Sequence, residues 1–168
     1  MNVLARAGQR VNIFIDTQNI YHSAKNLYDS KVDFGKLVQI LKGERSLIQS
    51  FAYVISSEFL HKEIDFFEAL VKQGIRLRIK ELQIYPDGSK KADWDVGIAV
   101  DVIKFSQLID VVVLVTGDGD FYHLVEYLQN QGKQVEIAGF SQTTSSRLKE
   151  IADLYYDLDE LKNLILIR

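Results

Sequence analysis

No cysteine occurs among the 168 residues, which excludes disulfides, thiol nucleophiles and zinc–thiolate sites together. Proline occurs once and no low-complexity run interrupts the chain, a composition that argues against disorder. No apolar run approaches the ~18 residues of a membrane span. The opening MNVLARAGQR also lacks the apolar stretch of a signal peptide. A soluble cytoplasmic protein without a membrane partner is the expectation. The three histidines, His22, His61 and His123, show no ligand spacing. A G-x-S-x-G elbow, a Walker A loop and a G-x-G-x-x-G turn are all missing, so serine hydrolysis and nucleotide-cofactor chemistry lack support.

What is present is an alternation of strand and helix patterns. Hydrophobic residues make up 47% and charged residues 26%, ordinary values for a globular chain of this size. VNIFID (11–16), a run within 47–55, IRLRIKEL (75–82), VVVLV (111–115) and QVEIAGF (134–140) read as five strands. Between them lie helical patterns through Tyr21–Tyr28, near 33–42 with Asp33 as N-cap, and over 59–74. Two more run from Trp94 to about Gln107 and over 121–132. In the 59–74 segment Leu60, Ile64, Phe67, Leu70 and Val71 form the apolar spacing, and Gly74 is the stop. On the helix after Trp94, Ile98, Val102 and Phe105 form the apolar face. From Thr143 onward the chain reads as helical turns with a short final strand, its LKNLILIR tail covering the core. No repeat or linker divides the chain. The expected organisation is an N-terminal extension over 1–10 and one domain over 11–168, built on a parallel sheet covered on both faces.

In such sheets ligands gather beyond the carboxyl ends of the strands, where strand order reverses. The first strand ends on Asp16 with Asn19 just beyond; the fourth ends Thr116-Gly117-Asp118-Gly119-Asp120. Asp93 and Asp95 precede or open the fourth helix, and Asp101 follows. If the first and fourth strands are neighbours, their acidic tips face each other, with the oxygen chemistry of a Mg²⁺ or Mn²⁺ site. Asn19 and Thr116 would orient water, and Gly117 and Gly119 would let a phosphate approach closely. A cation held there would activate water for attack on phosphorus. The alternative is plain capping: Asp16, Asp118 or Asp120 as N-caps and Asp95 as a helix-dipole partner. Between the paired acids, Asp118 is read as the ligand and Asp120 as divided between ligand and cap. Asp101 lies six residues, or roughly 600° of helix, from Asp95, so it stands behind the ligands or pairs with a cation.

The net charge is −3, yet residues 72–91 carry six basic side chains against two acidic ones, a local +4. Arg76, Arg78 and Lys80 alternate with Ile75, Leu77 and Ile79, placing the cations on one strand face. That face is either solvated or a phosphate-contacting stripe, which Lys90 and Lys91 would extend. Trp94 either stacks a base or packs where its helix meets the sheet.

Four segments together resemble the NYN domain family, of LabA-like type, in the PIN-like nuclease superfamily: IFIDTQNIY, KKADWDVGIAVD, VVVLVTGDGDF, and GKQVEIAGF with SSRLKEIADLYYDL. Thr116 stands where serine is common and His123 where proline is frequent. The resemblance implies a Rossmann-like three-layer α/β/α fold with a mainly parallel sheet of order 3-2-1-4-5, closing with a strand and a helix. It further implies a Mg²⁺- or Mn²⁺-dependent ribonuclease, endonucleolytic, with Asp16, Asp95, Asp118 and Asp120 as ligands. Single-stranded RNA is the expected partner, and a homo-oligomer is left open. A non-catalytic RNA-binding module that keeps the acidic pocket is the alternative. A phosphatase of the haloacid dehalogenase type ranks last, because its paired acids follow an early strand and Asp16 has no second acid two residues on.

Overall fold

Ile13 and Ile15 face one side of the sheet and Phe14 the other, and all three are buried. That two-sided burial makes Ile13-Phe14-Ile15 a continuous apolar run in place of an alternating one, and the buried Asn12 before it is satisfied by the Phe105 carbonyl and the Gln49 amide. The computed structural model describes residues 5–56 and 61–168, apart from the side chains of His61 and Lys91. In chain order the elements are β1 (Arg10–Asp16), α1 (Thr17–Tyr28), β2 (Lys31–Val32), α2 (Phe34–Lys42), β3 (Ser46–Ser56), α3 (His61–Lys72), β4 (Arg76–Glu81), β5 (Gln83–Ile84), β6 (Lys90–Lys91), α4 (Asp95–Phe105) and β7 (Val111–Val115). A 3₁₀ turn at Gly119–Phe121 leads into α5 (Tyr122–Asn130), followed by β8 (Gln134–Gly139), α6 (Ser146–Ile151), β9 (Leu154–Asp157), α7 (Lys162–Ile165) and β10 (Leu166–Ile167).

The main sheet has the order β4-β3-β1-β7-β8-β9, with every pairing parallel. The five expected strands follow one another as 3-2-1-4-5, and β9 adds a sixth where helical turns were expected. Its LYYD sequence explains the difference. Tyr155 packs into the cluster on one sheet face and Tyr156 into the cluster on the other, a period-two arrangement that a helix cannot give. The sheet also begins at Arg10, one residue inside the expected extension, and Gln9 already accepts a hydrogen bond from the Ser46 amide at 3.0 Å.

Helices α1, α2, α3 and α7 cover one face through Ile20, Leu37, Leu41, Leu70 and Ile165; α4, α5 and α6 cover the other through Ile98, Val102, Leu128 and Leu148. Asp33 caps α2 as expected, accepting from the Lys36 amide at 3.0 Å. Gly74 and Gly132 end α3 and α5 with φ of 83° and 82°, values that favour glycine. Within α3, Phe67 and Leu70 are buried, whereas Ile64 and Val71 are exposed; Leu60 lies outside the described residues. The tail covers the core: Ile165 is buried and β10 pairs antiparallel with β2. Among the described residues no helix is long and apolar enough to cross a membrane.

Candidate metal centre

Strands β1 and β7 are neighbours, with Ile15 opposite Val115, so the next residues, Asp16 and Thr116, emerge side by side at the carboxyl end of the sheet. The Thr116 hydroxyl donates to Asp16 Oδ2 at 3.1 Å and accepts from the Asp118 amide at 3.2 Å. Thr116 itself is buried. One helical turn beyond Asp16, Asn19 Oδ1 accepts from the Gly117 amide at 2.9 Å. Asn19 thus fastens α1 to the loop after β7, a different task from the water-orienting one expected of it.

Asp95, at the start of α4, meets this loop from the neighbouring helix. Oxygens of Asp95, Asp118 and Asp120 lie within 4.8 Å of one another. Asp16 is outside that trio but senses it. Burial raises its pKa and the Asp118 and Asp93 charges push the same way, against the Thr116 hydroxyl and the Asn19 amide. Asp95 is displaced further, to about 7, first by burial and then by the charges of Asp118, Asp16 and Asp93. No ion pair among the described residues involves Asp16, Asp95, Asp118 or Asp120. Crowded carboxylates without a cationic side chain, offering only oxygen ligands, fit a hard divalent cation.

In the Gly-Asp-Gly-Asp loop the capping task falls on Asp118 and not on Asp120, while both acids stay within the trio. Asp118 is the cap, its Oδ1 accepting from the Asp120 amide at 2.9 Å, and Asp120 is exposed. The amide that needs a partner at the start of the 3₁₀ turn belongs to Asp120, so the side chain two residues earlier reaches it. The glycines also serve a different purpose from phosphate access. A Cβ on Gly117 would stand 2.3 Å from the Thr143 carbonyl oxygen, and one on Gly119 would stand 2.7 Å from Ser145 Oγ. The segment Thr143–Ser145 lies against both glycines, and the Ser145 amide donates to the Gly117 carbonyl at 2.9 Å. That strap was not foreseen, since nothing in TTSS marks it as the partner of a loop 26 residues earlier.

On the flank, the cations of β4 rest on aromatic rings. The Arg76 guanidinium sits 5.2 Å from the Phe51 centroid, and the Lys80 ammonium 4.6 Å from that of Trp94. Arg78 Nε pairs with Asp101 Oδ2 at 3.1 Å, and the Tyr53 hydroxyl donates to the same oxygen at 2.9 Å. Asp101 is therefore an ion-pair partner inside the fold. Trp94 packs as the second of its two expected roles, its indole N–H donating to the Val54 carbonyl at 2.9 Å. Lys80 Nζ donates to the Asp93 carbonyl at 2.8 Å, and Asp93 Oδ1 accepts from the Asp95 amide at 3.2 Å. Asp93 thus belongs to the acidic end, although sequence reasoning assigned it no role. Lys90 is exposed on the two-stranded β5–β6 ribbon; the Lys91 side chain lies outside what the structure describes.

A family model described as NYN domain matches residues 10–159. The low amplitude and bright protein LabA of Synechococcus elongatus is 24% identical over 165 residues, spanning 93% of this chain and 87% of that protein. An uncharacterized protein of Methanocaldococcus jannaschii is 25% identical over 153 residues, 90% of this chain and 56% of that one. A crystal structure of a protein of unknown function from Vibrio parahaemolyticus is 32% identical, with a TM-score of 0.87, covering 96% of this chain and 98% of that one.

Proposed function

The chain belongs to the NYN domain family of PIN-like nucleases, and from that premise we propose that it is a metal-dependent endoribonuclease that hydrolyses single-stranded RNA. The observation that carries this reading is the Asp95–Asp118–Asp120 trio within 4.8 Å, with Asp95 raised to about 7 and no cationic side chain paired with it among the described residues. These three acids, with Asp16 beside them, would hold Mg²⁺ or Mn²⁺. When bound, the cation supplies a Lewis acid for the phosphate and a nucleophile at neutral pH.

The chain's own residues set the geometry. Thr116 fixes the Asp16 carboxylate and the Asp118 amide at once, and Asn19 keeps the β7 loop against α1. Lys90 and Lys91 on the ribbon, with Arg76 and Arg78 on β4, supply backbone phosphate contacts. Arg78 has half its side chain exposed while paired with Asp101, so it can serve both partners.

Cleavage of a single-stranded RNA oligonucleotide with Mn²⁺ or Mg²⁺ tests the reading, with Asp118→Asn as the comparison protein at matched folding. Asparagine keeps an oxygen for the Asp120 amide, so the cap survives. The loss expected exceeds the roughly 10–100-fold that changes behind a metal ligand cost. Equal cleavage by both proteins would assign the activity to a contaminant. RNA retention that is salt-sensitive, metal-independent and without turnover would establish the non-catalytic module instead.

A further inference from the structure

Four large apolar side chains stand in the open along α4 and the turn that follows it. Val96 is 76% exposed, Val100 56%, Ile103 40% and Leu108 79%. Val96, Val100 and Ile103 recur at spacings of four and three, which sets them in one stripe of the helix. The opposite stripe, Ile98 and Val102, is buried against the sheet. A helix that is apolar on both sides belongs between two layers, and among the described residues only the inner layer is present.

We propose that a second copy of this chain covers the stripe, with the two α4 helices packed antiparallel about a two-fold axis at Val100. The sequence of the helix is self-complementary in that register. Val100 meets its own copy, Lys104 lies opposite Val96, and Ile103 lies opposite Gly97. Gly97 has no Cβ, and the space a Cβ would take is filled by the Trp94 ring, so this position is flush with the helix and adds no side chain of its own to the contact.

Charge selects the same orientation. Asp93 and Asp95 mark the start of α4, and the exposed Lys104 lies in its last turn. Antiparallel packing brings Lys104 of each copy to within a turn of the other's acidic start and opposes the helix dipoles. Parallel packing would set lysine on lysine and acid on acid. The contact is isologous, as closed two-fold dimers require. The stripe forms its apolar centre, and flanking polar residues supply the rim of an interface that ordinarily buries ~800 Å² per partner. The inference stands whether or not the chain cleaves RNA.

Sedimentation velocity on the full chain across a dilution series tests it. The expected result is a concentration-dependent dimer. Val100→Glu places two carboxylates face to face on the axis and should raise the dissociation constant more than about tenfold, with circular dichroism and melting temperature unchanged. Val96→Lys, at the 76% exposed position, provides a second disruption should the first variant fold poorly. Lys104→Glu should weaken the dimer most at low salt. A monomer at every concentration overturns the proposal, as does a dimer that survives both valine substitutions. Vesicle binding by a monomer, lost on Val100→Glu, also overturns it and would assign the stripe to a membrane surface.

Discussion

The buried carboxylate of Glu136 and the crowded carboxylates at the strand ends are treated in opposite ways. Glu136 in β8 is 0% exposed and Arg45 4%, and the guanidinium grips both carboxylate oxygens at 2.8 and 2.9 Å. The Tyr156 hydroxyl adds a bond at 3.2 Å and the Gln134 side chain one at 2.7 Å. At the carboxyl ends of the strands, Asp16 receives the Thr116 hydroxyl and Asp118 the Asp120 amide, and none of Asp16, Asp95, Asp118 and Asp120 pairs with a cationic side chain among the described residues. The first group is neutralised by the fold itself, and its charges are satisfied with nothing added. The second holds like charges together at a cost in stability, which a ligand from outside can offset. A buried acid with a bidentate arginine speaks for structure; a crowd of acids without one speaks for a site.

That contrast can be broken or sharpened experimentally. The largest effect expected is on the satisfied pair: Glu136→Ala strands the Arg45 charge and should cost about 3–5 kcal/mol in urea denaturation. Replacing both partners, Arg45→Met with Glu136→Leu, should recover most of that loss. If the single change is harmless, the pair is not what holds this end together. Gly117→Ala comes next, since its Cβ would meet the Thr143 carbonyl backbone at 2.3 Å. A loss of roughly 1–3 kcal/mol is expected, and an unaltered melting curve would show that the strap yields freely. Asp118→Asn should act in the other direction on the metal-free protein, stabilising it by about 0.2–1 kcal/mol, the scale of interactions between solvent-exposed charges. A clear destabilisation would mean that the aspartate charge supports the loop.

The remaining effect is a slope against pH. The folded-state pKa of Asp95, about 7, lies above its ordinary 3.8, so the folded chain binds this proton more tightly than the unfolded chain. The benefit is fully present below about pH 4 and lost as pH rises through about 7. Melting temperatures of the metal-free protein should therefore fall over that window more steeply than those of Asp95→Asn. Equal slopes would place the titration elsewhere.

Much of this was legible in the sequence where burial is two-sided. VVVLV announces itself because every residue is apolar, as do Ile13, Phe14 and Ile15 in β1, and the adjacency of the two strands brings Asp16 to Thr116. The acidic end followed from asking which residues come just after those strands. β9 was misread because SSRLKEIADLYYDL carries helical spacing up to Ile151, and only pairing with β8 makes LYYD a strand. The cap was assigned to Asp120 in place of Asp118 because the pattern shows two acids near a helix start without showing which amide is bare. Arg78 and Asp101 are 23 residues apart, and no local rule predicts their ion pair. Gly117 and Gly119 were read as letting a phosphate approach closely, whereas a segment from beyond β8 lies against both.

The hydrogen bond between Asp16 and Thr116 joins residues 100 positions apart, and the Thr143–Ser145 strap closes over the result. During synthesis Asp16 is made early, yet it has no neighbours to crowd it until β7 and its loop have followed. No fragment ending before Thr116 can assemble the acidic end. A chain built this way keeps its carboxylates apart until the segment through Ser145 has been made, so any chemistry they perform must wait for that stretch to be added.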